Sequence, residues 1–208
     1  MNKVYIETFE DLNNLRNLNE GEYIVILCND LNLEGKYITP INFKDTNVIF
    51  DGNFHSITNL NMDFPYEDNI GLFNTIGDSV IVVKDLELSG SIEGRDNVGL
   101  LGGTFNGVIN NSHFTGSVYG FDNLGGLVGK STNKLILNGC TLEMDYPYST
   151  INYPCKEYYK PKKIGYIVAI ANKLLVSNCT YNVACDKLSS DYSEVLIKPK
   201  KVLKRKKD

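Results

Sequence analysis

Asp68-Asn69-Ile70-Gly71-Leu72-Phe73 recurs as Asp96-Asn97-Val98-Gly99-Leu100-Leu101-Gly102 and again as Asp122-Asn123-Leu124-Gly125-Gly126-Leu127-Val128-Gly129. A weaker copy follows in Lys163-Ile164-Gly165-Tyr166-Ile167-Val168. The shared glycines are spaced 28 residues (Gly71 to Gly99), 26 (Gly99 to Gly125) and 40 (Gly125 to Gly165) apart. Near-constant periods of this size mark stacked supersecondary units, each too small to bury its apolar face alone.

A second element keeps step. Val83-Lys84-Asp85-Leu86-Glu87-Leu88 aligns with Ile109-Asn110-Asn111-Ser112-His113-Phe114, then with Leu137-Asn138-Gly139-Cys140-Thr141-Leu142 and Val176-Ser177-Asn178-Cys179-Thr180-Tyr181. Each copy alternates apolar with polar positions, the pattern of a strand with one buried face. Short strands joined by Gly, Asn and Asp turns predict an all-β chain, a right-handed parallel β-helix (β-solenoid) of about five to seven coils. Equivalent residues would stack about 4.8 Å apart. The glycines are expected to supply positive φ at corners and close approach between coils.

Upstream, Thr8-Phe9-Glu10-Asp11 has the form of a capping box, and Leu12, Leu15 and Leu18 follow at helical spacing. This predicts a short helix over about 9–18 that caps the first coil and blunts an open sheet edge. Tyr23–Leu27 reads as the first buried strand and Asn47–Phe50 as another, with a turn at Asp51-Gly52.

With EDLNNL, EYIVILCNDLNL, ITPINF and VIFDGNFHSITNLNM added to DNIGLF, DNVGLLGG and DNLGGLVG, residues 5–142 resemble the GLUG-repeat right-handed β-helices. Those modules occur in bacterial surface and secreted proteins and beside the protease domain of IgA-cleaving metallopeptidases. The resemblance implies a scaffold and is nearly silent on function. The chain has no HExxH, so peptidase activity does not carry over.

The formal charge of −4 over 208 residues divides unevenly. Residues 198–208 carry seven Lys/Arg and one Asp, or +6, leaving −10 on residues 1–197. We therefore expect a single domain over 1–197, with an insertion at 145–161, followed by a basic tail at 198–208. No apolar run is long enough for a membrane-spanning helix, and MNKVYIETFEDLNNL has no signal-peptide h-region. A cytoplasmic location is expected, with surface exposure as the alternative if a leader precedes the sequence. Five scattered cysteines without a CxxC predict neither a disulfide framework nor structural zinc. Cys140 and Cys179 share one register and are expected to be small buried fillers. No metal and no cofactor is expected.

Three sets of residues are candidates for function. Asp68, Asp96 and Asp122 open equivalent turns and should form a stacked acidic stripe, beside an amide ladder of Asn69, Asn97 and Asn123. The insertion holds Tyr146, Tyr148, Tyr153, Tyr158 and Tyr159 with three prolines, and solenoid insertions are frequent binding sites. Asp85 and Glu87, read as sharing a strand face near Asn111 and His113, are the carboxylates of a carbohydrate-enzyme reading. The phosphate-loop reading of Gly125–Ser131 fails because its first required glycine is Leu124.

The expected function is a non-catalytic, intracellular protein-binding module, an inhibitor of the kind carried by phages or mobile elements. Its acidic face and Tyr-rich loop would dock on a basic, nucleic-acid-binding host protein. The second reading is an adhesin-like or glycan-binding bacterial surface module, and the third a β-helix polysaccharide lyase or hydrolase. Direct nucleic-acid contact is expected only through Lys198–Lys207.

Overall fold

The computed structural model describes residues 1–145, 147–149, 163–181 and 189–198. It is an all-β structure with one short helix, and every strand pairing among the described residues is parallel. The longest sheet runs Asn2–Ile6, Gly21–Leu27, Thr46–Asp51, Ile81–Lys84, Gly107–Asn110, Val128–Asn138, Val168–Ser177 and Ser189–Lys198, with Gly102–Thr104 also paired to Val128–Asn138. A second sheet runs Leu31–Asn32, Ser56–Asp63, Glu87–Glu93, His113–Gly120, Thr141–Met144 and Thr180–Tyr181. Asp96–Val98, Asp122–Gly125 and Ile164–Gly165 form a third, and Ile41–Lys44 with Phe73–Ile76 a fourth. The chain visits the sheets in turn and returns to the longest one a strand further along.

The registers reproduce the alignment read from the sequence. Val25, Phe50, Val83, Ile109, Leu137 and Val176 are successive partners in the longest sheet, and all are buried. Ile57, Leu88, Phe114 and Leu142 form the matching column in the second sheet, and Ile70, Val98, Leu124 and Ile164 the one in the third. Period-two alternation turns these side chains into one continuous core. Each fully buried aliphatic or aromatic residue contributes about 1.5–3 kcal/mol.

The N-terminal expectation needs one revision. The first strand is Asn2–Ile6, ahead of the helix, and Gly21–Leu27 is the second. The helix spans Phe9–Asn14 and tightens into a 3-10 turn at Leu15–Asn17, shorter than the predicted 9–18. Its capping box is present: Asp11 N–H donates to Thr8 Oγ1 at 3.2 Å, and Thr8 N–H to Asp11 Oδ2 at 2.9 Å. Leu12 and Leu15 are buried and Leu18 is half-buried against the core. Among the described residues, no helix is long and apolar enough to cross a membrane.

The corners also differ from expectation. Asn69, Asn97 and Asn123 hold positive φ (61°, 55° and 54°), as do Asp85, Asn111, Gly139 and Asn178 in the second aligned element. Asn and Asp are the non-glycine residues that best tolerate this region, so asparagine does most of the work assigned to glycine. The repeat glycines serve close approach instead. A Cβ on Gly71 would lie 2.4 Å from Gly99 O, and one on Gly99 would lie 2.7 Å from Leu127 O.

Candidate functional site

The third sheet starts at the turns that carry Asp68, Asp96 and Asp122. Asp96 and Asp122 are register partners, and Asp96 N–H donates to Asp68 Oδ1 at 3.2 Å, so the three aspartates stack as expected. The amide ladder beside them is also present. Asn97 Nδ2 donates to Asn69 Oδ1 at 3.0 Å, and Asn123 Nδ2 to Asn97 Oδ1 at 3.1 Å.

The stripe is not bare. Arg95 forks onto Asp68, with Nε to Oδ1 at 2.7 Å and Nη2 to Oδ2 at 2.6 Å, and its Nε lies 4.0 Å from Asp96 Oδ2. This bidentate pair offsets repulsion that three stacked carboxylates would otherwise impose. Asp122 Oδ1 accepts from the backbone N–H of Asn123 at 2.8 Å and of Lys163 at 3.1 Å. Asp96 is the least well served, for its Oδ1 is buried without a hydrogen-bond partner among the described residues. Burial, then the charge of Asp68, holds its carboxyl above the ordinary value of 3.8, against the opposing pull of Arg95.

That asymmetry has a measurable consequence. A raised folded-state pKa means that the folded chain holds this proton more tightly than the unfolded chain does. Ionisation of Asp96 therefore opposes folding. The penalty is absent below the ordinary carboxylate range and complete above the raised value. Asp96→Asn is expected to raise the melting temperature at pH 7 and to leave it unchanged near pH 3. A variant less stable than wild type at pH 7 would contradict this assignment.

A second column adjoins the first. Asp63, Glu93, Tyr119 and Tyr148 are successive register partners in the second sheet, a few residues before the aspartate turns. The backbone N–H of Arg95 donates to Glu67 O at 2.7 Å, so Glu67 adjoins the same corner, with Asp63 and Glu93 in the neighbouring column and Asp68, Asp96 and Asp122 in the stripe. Both ends of the insertion meet it: Tyr148–Ser149 pairs with Tyr119–Gly120, and Lys163 N–H reaches Asp122. Of the five tyrosines singled out in the insertion, Tyr148 lies in this short strand. Tyr146, Tyr153, Tyr158 and Tyr159 lie outside the described residues, as does the basic tail beyond Lys198. Lys198 itself ends the last strand of the longest sheet, in register with Ser177.

The carboxylates of the enzyme reading do not share a strand face. Asp85 occupies a corner at φ 52°, is largely buried, and lies 3.6 Å from Lys84, whose ammonium bonds Asp51 at 2.5 Å. Glu87 is exposed at the start of the following strand, and His113 is its register partner. The left-handed corner residue rotates the chain between the two acids. Asp85, Glu87, Asn111 and His113 nevertheless line one shallow depression of about 230 Å³ with the exposed Phe54. Among the described residues, no group of three or more His, Cys, Asp or Glu side chains is arranged to hold a metal ion. Cys140 and Cys179 are both buried, and Cys140 N–H donates to Cys179 Sγ at 3.4 Å. Ser112 Oγ accepts from Leu86 N–H at 3.2 Å in the equivalent place, which fits the filler reading. The phosphate-loop segment continues from Val128 into the strand Val128–Asn138, not into a helix.

The chain is similar to halomucin of Haloquadratum walsbyi (strain DSM 16790 / HBSQ001), 37% identical over 87 residues. The match covers 42% of this chain and 1% of that protein. No protein-family model matches the sequence, and no solved structure matches it.

Proposed function

We propose that the chain is a right-handed parallel β-helix of the GLUG-repeat type and serves as a non-catalytic protein-binding module. Its acidic corner docks on a partner protein with a basic, nucleic-acid-binding surface. The observation that carries this reading is the convergence at one corner of features far apart in sequence. Two charged columns and both ends of the Tyr-rich insertion meet there. A row of carboxylates held in register by backbone pairing is preorganised, so little ordering entropy is lost when a basic surface settles on it. Tyr119, in the column next to such a row, supplies contact area at low entropic cost.

The test is affinity capture from a lysate of the source organism with the intact chain. Wild type is compared with an Asp68→Asn/Asp96→Asn/Asp122→Asn variant, and with one whose residues 145–161 are replaced by a Gly/Ser linker. A basic protein is expected to be retained at low salt, to elute as salt rises, and to be lost with the triple variant. Retention indifferent to both salt and the triple substitution would overturn the electrostatic reading. Loss with the linker variant would add the insertion to the interface.

A further inference from the structure

A groove of about 620 Å³ lies on the flank of the fourth sheet and borders the acidic corner, two of whose carboxylates line it. Arg16, Asn17 and Thr39 line it from the N-terminal segment, and Glu67 and Asp68 from the turn before the first repeat. Asn42, Asn74 and Thr104 come from neighbouring strands between them. The size is within the range of small-molecule sites.

Its hydrogen-bonding capacity is unevenly spent. Arg16 is held in place: Nη1 donates to Thr39 Oγ1 at 2.6 Å, Nη2 to Asn13 Oδ1 at 2.6 Å, and Nε to Asn13 O at 2.8 Å. Asp68 is occupied by Arg95. Asn74 Nδ2 donates to Asn42 Oδ1 at 2.9 Å and to Asn69 O at 2.8 Å, while its Oδ1 takes the N–H groups of Gly103 and Thr104. Asn42 ends this amide ladder. Its Oδ1 is filled, but its Nδ2 has no acceptor among the described residues. The Glu67 carboxylate also lines the groove, is exposed and has no side-chain partner among the described residues.

We propose that this groove binds a neutral oligosaccharide, with Asn42 Nδ2 donating to one sugar oxygen and Glu67 accepting from sugar hydroxyls. The chemistry excludes the other common classes. Two carboxylates and an already committed guanidinium disfavour phosphate or uronate. The apolar lining is confined to Ile70, Ile76 and Pro40, too little for a lipid chain. Among the described residues, no aromatic side chain lines the groove to sandwich a base. Hydroxyl groups both donate and accept, which matches a groove lined by an exposed amide N–H of Asn42 and the exposed carboxylate of Glu67. The groove shares Glu67 and Asp68 with the acidic corner, but its test reads sugar binding and not protein capture.

The experiment titrates the intact chain with cellohexaose, mannohexaose and N-acetylated chitohexaose, with hexagalacturonate as the anionic control, by calorimetry and by NMR of the side-chain amides. At least one neutral hexamer is expected to bind with a Kd of about 1 mM or tighter and to shift the Asn42 amide resonance. Asn42→Asp keeps the acceptor that Asn74 uses and removes the donor, and Glu67→Gln removes the charged acceptor. Each is expected to weaken binding about five- to tenfold, the scale of one net hydrogen bond, without lowering the melting temperature. No shift at Asn42 with any neutral hexamer, binding of hexagalacturonate alone, or binding unmoved by both substitutions would overturn the proposal.

Discussion

Gly125→Ala is expected to lower the melting temperature by roughly 10 °C or more, from a loss of at least about 3–4 kcal/mol. The new Cβ would sit 1.8 Å from Val128 O, 2.6 Å from Val128 C and 3.0 Å from Ala169 N. All three are backbone atoms within the parallel ladder, so relief requires moving strands, not rotating a side chain. Gly125 pairs with Gly165 of the following copy, so the displacement would be passed to the next repeat. Gly35→Ala is the control. Nothing lies within 4 Å of its Cβ position, and its φ of +69° should cost only about 1–2 kcal/mol. Thermal denaturation followed by circular dichroism compares the two. Equal losses would mean that the ladder absorbs the added Cβ at Gly125 without displacing its strands.

Phe73→Ala is expected to cost about 3–5 kcal/mol, because the cavity it leaves is surrounded by groups that cannot collapse into it. Phe73 is fully buried, with its ring centroid 5.0 Å from that of Phe50 and 5.8 Å from that of Phe43. Tilted aromatic pairs at these separations add to the area burial. Its backbone is fixed from both sides, pairing with Ile41 and donating N–H to Leu101 O at 2.8 Å. Phe73→Leu should retain most of the packing and lose under half as much. Urea titrations of the two variants provide the measurement. A Phe73→Ala loss below about 1 kcal/mol would show that the three rings do not form a packed stack.

Much of the fold was legible because a parallel ladder converts sequence period into spatial register. Val83, Ile109, Leu137 and Val176 align by eye and are partners in the structure. Ile70, Val98, Leu124 and Ile164 behave in the same way despite the weak fourth copy. Asn2–Ile6 was missed because a strand before the repeat has no internal copy, and only pairing with Tyr23–Leu27 identifies it. Asparagine takes the corners because its short polar side chain tolerates positive φ, so a shared glycine does not by itself mark where the chain turns. Asp85 was placed on a strand because alternation cannot show where the chain turns.

The candidate site was only partly legible. The stacking of Asp68, Asp96 and Asp122 follows from period alone. Arg95 does not, because its nearest sequence neighbour is Asp96 whereas its guanidinium reaches back across one repeat to Asp68.

The sequence by itself determined the repeat, its register, the columns of the core and the acidic excess of the body over the tail. Those are properties of periodic spacing, and parallel pairing carries them into three dimensions unchanged. Only the tertiary structure decided that Arg95 covers part of the acidic stripe and that both ends of the insertion return to the same corner. It also brought Arg16, Asn42 and Glu67 together around one groove. Repeat spacing brings these segments near one another, but which side chain reaches which partner is set by packing and hydrogen bonding, so period alone could not place them.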